Sequence, residues 1–471
     1  MEIKEKNINL FELFQTVNGK YLYDTNKDKL IEISNDLYLY LKKKINSLSK
    51  DTAEEVKELK RKGYLKSNPV ESIVHPMSQY LPLYQKRNLS AITLQVTQNC
   101  NLRCKYCVYT VESNGNQRVH SAKKMTWETA KAAIDFLWIH SVDSDIISIG
   151  FYGGEPFLEK ELVEKCILYS RKKFEGKKLQ FQLTTNATLL DRECLAFMFE
   201  NNMHIMLSLD GPREIHDRNR VFAANGKGTY DTVIQKLKLI KKEFPQYINQ
   251  VSVNMVMDTK NDFSQIKKLT DVGGELEGIS TQASFIVNEY VDVEEEMPLL
   301  FWQDYQYELF LVYMFLLGRV EETDIAVVLR NYRESLKNLQ ELMSVTGELR
   351  PITGPGGPCI PGKRFMVDVD GIFYPCERVS ETAACTKIGS IENGFDIIKS
   401  QRILNISQIN EERCKNCWAF RHCKTCIRSC TGDQGISVKK MVQECKRIQE
   451  DIYENMRAIL FLKEIEERYE T

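Results

Sequence analysis

Apolar positions between residues 92 and 287 alternate between two rhythms: short runs rich in β-branched residues, and longer stretches with apolar residues at helical spacing. The spacing predicts strands over 92–97, 146–151, 179–185, 204–209, 250–257 and 281–287. It predicts helices over 127–139, 160–174, 192–200, 230–243 and 263–269. Six strand-helix units in succession imply a parallel sheet curled into a partial barrel. In such sheets the chemistry collects where the strands end. No internal sequence repeat accompanies the alternation.

The flanks read differently. From residue 8 to 65, short alternating runs at 14–17, 21–24 and 30–33 precede helical stretches at 36–43 and 52–62, the order of a small winged helix. Pro69, Pro76 and Pro82 mark a linker behind it. After the sheet, helices over 299–317 and 321–343 lead into a Gly- and Pro-rich segment, 351–362. Too little regular pattern remains beyond it for a conventional core, so bound groups are expected to hold that region together. The chain therefore divides into 1–85, 86–297 and 298–471, in keeping with roughly three domains for its length.

Charge and cysteine usage narrow the function. With 64 basic and 65 acidic residues, no net field favours nucleic acid or an anionic membrane. The first ten residues carry Glu2, Lys4, Glu5 and Lys6 and no signal-peptide core, which predicts a cytoplasmic protein. The most apolar helical run, 309–317, falls well short of the roughly 20 residues needed to span a bilayer. Fourteen cysteines in a reducing compartment point to metal ligation rather than disulfides. They cluster at Cys100, Cys104 and Cys107 and again between Cys359 and Cys445, leaving Cys166 and Cys194 as isolated buried hydrophobes.

The first cluster directly follows a predicted strand. Its C-x3-C-x2-C spacing offers three thiolates to a cubane that ordinarily takes four, leaving one iron open to a non-protein ligand. Zinc would want a fourth ligand, and none is near. Gly153, Gly154, Glu155 and Pro156 end the second strand; two glycines permit close backbone approach to a ligand, and a carbonyl with Glu155 could hold an ammonium group. Thr184, Thr185 and Asn186 end the third strand, and Ser208, Asp210 and Gly211 follow the fourth.

These motifs resemble the radical S-adenosylmethionine (SAM) superfamily, down to an aromatic, Tyr106, before the third cysteine. The resemblance implies a partial (β/α)6 TIM-like barrel whose open iron chelates SAM, and reductive cleavage of SAM to a 5′-deoxyadenosyl radical. It implies cofactor contacts at Tyr106, Gly153, Gly154, Glu155, Asn186, Ser208 and Asp210, with Arg220 a looser match. No protein group is assigned as a catalytic acid or base.

Cys359, Gly371 and Cys376 (C-x11-G-x4-C) and Cys414, Cys417 and Cys423 (C-x2-C-x5-C), with Cys445 beyond, resemble the SPASM extension, which binds two auxiliary 4Fe-4S clusters. By that resemblance the second auxiliary cluster takes Cys414, Cys417, Cys423 and Cys445. The first takes Cys359, Cys376 and either Cys426, which keeps the ligand run compact, or Cys430. The chain departs from the family's C-x3-C at this point, and Cys430 or Cys385 could close an otherwise open iron. A zinc ribbon also uses paired C-x2-C motifs. The N-terminal module resembles the RiPP recognition element, which adds a leader peptide as a strand at a sheet edge. A DNA-binding winged helix is disfavoured by Asp24, Asp28, Glu32, Asp36, Asp51, Glu54 and Glu55.

Taken whole, the chain resembles peptide maturases that join cysteine sulfur to carbon, the sactipeptide and ranthipeptide synthases among them. That implies three 4Fe-4S clusters, SAM, a cysteine-containing precursor peptide and a flavodoxin- or ferredoxin-like electron donor. Carbon-carbon crosslinking, anaerobic sulfatase-type maturation and a non-catalytic iron-sulfur peptide-binding or electron-transfer role are the other readings.

Overall fold

The computed structural model describes residues 10–110, 117–258, 262–270, 273–286, 298–345, 347–432 and 435–469. Ile8, Val287 and the charged residues of the first ten lie outside them. Six parallel strands, Ala91–Thr97, Ile146–Gly153, Lys178–Thr185, Met203–Ser208, Val251–Met257 and Ser280–Phe285, pair side by side in chain order. The expected strands are all present, shifted by a residue or two at their ends.

Alternation along these strands creates the cavity. One set of side chains forms cross-strand apolar pairs, Ile92 with Ile149, Phe151 with Leu94, Leu183 with Ile205 and Leu207 with Val253. These are buried in the main core. The helices between the strands pack there, with Ala130, Ala133, Ile134 and Leu137 forming the buried face of Trp127–Ile139. Side chains one position along point the other way. Thr93, Gln182, His204, Ser208, Asn254 and Gln282 all line the cavity. Polar inward positions keep the barrel from closing on an apolar interior, so it remains open to ligand.

The sheet does not end with the barrel. Arg364–Val367 pairs in parallel with Ala91–Thr97, and Ile372–Tyr374, Gly389–Ser390 and Gly394–Phe395 extend it to ten strands. The C-terminal region thus has a conventional core, contrary to expectation. Phe365, Phe373 and Tyr374 are fully buried, and Phe136 meets Phe373 edge-on at 4.9 Å. A 32-residue helix, Val438–Tyr469, also went unpredicted. Met441, Ile448, Ile452, Met456 and Ile459 form its buried stripe, but dense Lys and Glu on the other faces dilute the pattern.

The predicted 321–343 helix is shorter, Arg330–Val345. Ahead of it stand two tight turns, Glu322–Asp324 and Val327–Leu329; three consecutive buried residues in the second suit a fully packed turn better than an amphipathic helix. At the N-terminus, Phe11–Gln15, Lys20–Asp24 and Lys29–Glu32 form an antiparallel sheet followed by helices Asn35–Leu41 and Lys50–Arg61, capped by Ser34 and Ser49. The first strand precedes the expected 14–17 because the chain turns from Thr16 to Gly19. This sheet docks on the C-terminal helix, where Phe14 stacks on Tyr453 at 4.5 Å and Tyr21 donates to Glu464 at 2.6 Å. Among the described residues, no helix is long and apolar enough to cross a membrane.

Candidate active site

The first barrel strand ends at Thr97, and the chain then crosses the mouth of the sheet through Cys100, Cys104 and Cys107. Backbone bonds to the segment beyond the fourth strand fix this loop: Arg103 N to Val221 O (2.9 Å), Lys105 N to Asn219 O (3.1 Å) and Ala223 N to Asn101 O (2.9 Å). The Arg103 guanidinium donates to the carbonyls of Cys100 and Leu102, curling the loop on itself. All three thiols line a cavity of about 1780 Å³ together with the inward residues of the barrel. Burial pushes the Cys100 thiol up to about 12 and the Cys104 thiol to about 11, and their neighbouring thiols add to the shift. As thiolates the set would repel itself, and a cationic metal centre that replaces their protons removes that conflict. The donors fit a cubane iron-sulfur cluster with one open iron.

Gly153 and Gly154 line the same cavity. Their missing side chains make room for the loop. A Cβ on Gly154 would stand 2.0 Å from Asn99 O and 2.9 Å from Cys100 Cβ, and one on Gly153 would stand 2.2 Å from Thr97 O. The second strand therefore presses its bare backbone against the chain leading into Cys100, and Gly154 N and Glu155 N donate to Thr97 O and Asn99 O. Glu155 also differs from expectation. Its carboxylate is fully buried behind the cavity, where it accepts from Phe157 N, Thr185 Oγ1 and Asn186 N. Burial raises it to about 7 against these three bonds. It thus anchors the end of the third strand instead of facing an ammonium group. Asn186 does line the cavity, tied through Nδ2 to Asn101 at 2.8 Å. Gly154→Ala should displace the cysteine loop, at a cost of about 3 kcal/mol. The expected result is unchanged far-UV circular dichroism with loss of any SAM-induced change in the reconstituted protein's electron paramagnetic resonance; a wild-type response would refute this role.

A second buried carboxylate organises the opposite side. Asp210 accepts from Arg220 Nε (2.8 Å) and Nη2 (3.0 Å), from Tyr106 OH (2.6 Å) and from Val256 N (3.1 Å). Arg220 and Tyr106 reach the cavity with Ser208, while Asp210 stays behind them. Arg220 also lowers the Cys104 thiol, against burial. Sequence reasoning missed His216. Its Nδ1 accepts from Asp210 N, its Nε2 meets Thr229 Oγ1 at 2.8 Å, and Thr229 Oγ1 donates in turn to Arg220 O. Burial lowers His216 to about 4, so the ring is a neutral strut. A lone histidine five residues beyond Gly211 carries no signal of this.

Residues 94–271 match the profile of the Radical SAM superfamily, a span that begins in the first barrel strand and holds the three thiols, both glycines and the Asp210–Arg220 pair. The protein is a radical SAM enzyme. It is 27% identical over 382 residues to the cysteine-type anaerobic sulfatase-maturating enzyme of Clostridium perfringens, covering 77% of this chain and 95% of that one. It is 22% identical over 457 residues to the radical SAM cyclopropyl synthase TigE of Paramaledivibacter caminithermalis, covering 89% and 86%. A solved structure of native anSMEcpe with bound AdoMet shares the fold, with a TM-score of 0.58 and 24% identity over 80% of this chain and 99% of that one.

In this radical SAM enzyme the C-terminal cysteines stand just behind the cavity wall. Their neighbours Glu377, Arg428, Ser429 and Glu444 line it. Cys445, Cys423 and Cys417 surround Cys414 and, after burial, push its thiol up to about 12. Cys376, held at about 11 chiefly by burial, feels Cys426. Cys430 is fully buried and feels Cys426, Cys445 and Cys423, whereas Cys385 is half-buried and bonded to Thr431. Cys359 is exposed, on a segment whose Gly357 packs against the Cys423 carbonyl. Among the described residues, no three of His, Cys, Asp and Glu converge on a point that would hold a single metal ion. Cys166 and Cys194 are buried in the core, as expected.

Proposed function

We propose that this radical SAM enzyme removes hydrogen from a residue of a peptide or protein substrate bound in the cavity. The observation carrying this is the cavity itself: the barrel with its thiol loop and the C-terminal region both line it, leaving room well beyond a typical small-molecule pocket of about 300–1,000 Å³. The cysteine-type sulfatase-maturating relatives, which match over three quarters of the chain, support oxidation of a cysteine side chain ahead of other outcomes.

Bound at the cluster of Cys100, Cys104 and Cys107, SAM would supply a 5′-deoxyadenosyl radical. The chain's own part is placement. The Gly153–Gly154 backbone and Asn186 flank the thiols, Arg220 offers its remaining N–H groups and positive charge, and Asp210 keeps that guanidinium aimed. Inward residues such as Thr93, Gln182 and Asn254 give the substrate backbone donors and acceptors. The thiols of Cys414, Cys417, Cys423 and Cys445, and those of Cys359, Cys376 and Cys426, would hold two auxiliary 4Fe-4S clusters, which would supply an electron acceptor beside the cavity.

Thioether formation is the second reading. The match to TigE, a cyclopropyl synthase, extends over 89% of the chain and the sulfatase-maturating match over 77%, so what supports this reading is the N-terminal sheet rather than either relative's name. That three-stranded sheet has edges on which a precursor's leader could pair. Anaerobic incubation with SAM, reductant and cysteine-containing peptides separates the two readings. Tandem mass spectrometry should show a modified cysteine with no second residue joined for side-chain oxidation, and a crosslinked pair lighter by two hydrogens for thioether formation. Deoxyadenosine production with every peptide unchanged would overturn both.

A further inference from the structure

The part of the cavity lining that the C-terminal region supplies is rich in cations. Arg364, Arg378, Arg428, Lys439, Lys440 and Arg447 line it, against Glu377 and Glu444. Arg378 lies 3.7 Å from Glu377, and Arg447 bonds Glu444 at 2.6 Å, which accounts for both acids. Among the described residues, Arg364, Lys439 and Lys440 make no salt bridge. This is a local property, because the whole chain carries 64 basic and 65 acidic residues. Lys439 and Lys440 also occupy the first turn of the Val438–Tyr469 helix, which has no acidic residue there. The positive end of a helix dipole disfavours lysine at that place, so local helix stability does not account for them. Arg364 has a second task, since it lowers the Cys376 thiol. A concave surface of one sign concentrates its field on whatever enters.

We propose that this cationic lining, Lys439 and Lys440 included, binds carboxylates of the substrate, so that the residue modified lies within an acidic stretch of peptide. The site deepens the peptide reading above and rests on it. A carboxylate seated there would hold the peptide in the cavity that the cluster loop also lines. Because charge complementarity works through screened attraction, it should act mainly on encounter and selectivity.

Fluorescence anisotropy on anaerobically reconstituted enzyme with SAM tests this, using three short labelled peptides with a central cysteine flanked by glutamates, glutamines or lysines. The glutamate peptide should bind about tenfold more tightly than the glutamine peptide, with lysine weakest, and the preference should collapse in about 0.5 M NaCl. Lys439→Gln with Lys440→Gln should reduce it to about twofold, and Lys439→Arg with Lys440→Arg should keep it. Iron content and circular dichroism report whether each variant is folded. Equal affinity for the glutamate and glutamine peptides, or a preference that survives in the glutamine variant, would overturn the site while leaving the peptide reading intact. Tight binding of a single-stranded oligonucleotide in place of the acidic peptide would overturn it too. If no peptide binds and none changes mass, the site and the peptide reading fall together.

Discussion

Replacing Cys100, Cys104 and Cys107 together with alanine is expected to leave a folded protein that no longer cleaves SAM, with deoxyadenosine formation reduced by at least about 10⁴-fold. The fold should survive because the loop's position comes from other groups: Arg103, Lys105 and Ala223 pair through the backbone with the 219–223 segment and Asn101, and Asn101 Nδ2 donates to Thr188. Cys100 and Cys104 add no charge that the apoprotein depends on. Burial pushes Cys100 and Cys104 to about 12 and 11, so both are neutral near pH 7 and their removal breaks no ion pair. What disappears is the set of thiols whose protons a metal centre would displace. Iron should fall by one cluster's share while any iron bound at the C-terminal cysteines persists. Liquid chromatography of deoxyadenosine under strong reduction, alongside iron analysis, reads both. A variant that still forms deoxyadenosine would place the radical centre elsewhere in the chain.

Much of the barrel was legible because its two rhythms are physically forced. Buried strands need β-branched alternation and the covering helices need a stripe, so Trp127–Ile139, Arg192–Glu200 and Tyr230–Glu243 end where the pattern says. The thiol loop and the two glycines were legible as spacing. Their division of labour was not: Gly154 reads identically whether it clears room for a ligand or, as here, for Asn99. Glu155 and Asp210 likewise read as ligand contacts, Glu155 as a partner for an ammonium group and Asp210 by resemblance to segments that contact SAM. Only the fold shows them turned away, the one bonded to Thr185 and Asn186, the other to Arg220 and Tyr106. The C-terminal region was least legible. Its strands are two to four residues long and join the barrel sheet far from it in sequence, Arg364–Val367 lying against Ala91–Thr97. No local periodicity reports such a pairing.

The second large effect expected is at Asp210. Its carboxylate is wholly buried and Arg220 beside it nearly so, with two bonds between them. Asp210→Asn leaves the guanidinium buried and uncompensated, which costs about 3–5 kcal/mol. It also removes the acceptor that fixes the Tyr106 hydroxyl and frees the cation beside Cys104. The urea midpoint of the apoprotein should drop accordingly, and anaerobic equilibrium dialysis should show SAM binding weakened more than about tenfold. Stability and cofactor binding can be pulled apart. Replacing the pair together, Asp210→Leu with Arg220→Met, removes both charges and should restore stability to within about 1 kcal/mol of wild type, since a buried ion pair seldom outperforms apolar packing. SAM binding should stay weak in that double variant, because the cation facing the cavity is gone. Recovery of SAM affinity together with stability would mean that Arg220 only holds the fold, and wild-type affinity in Asp210→Asn would mean that its aim does not matter.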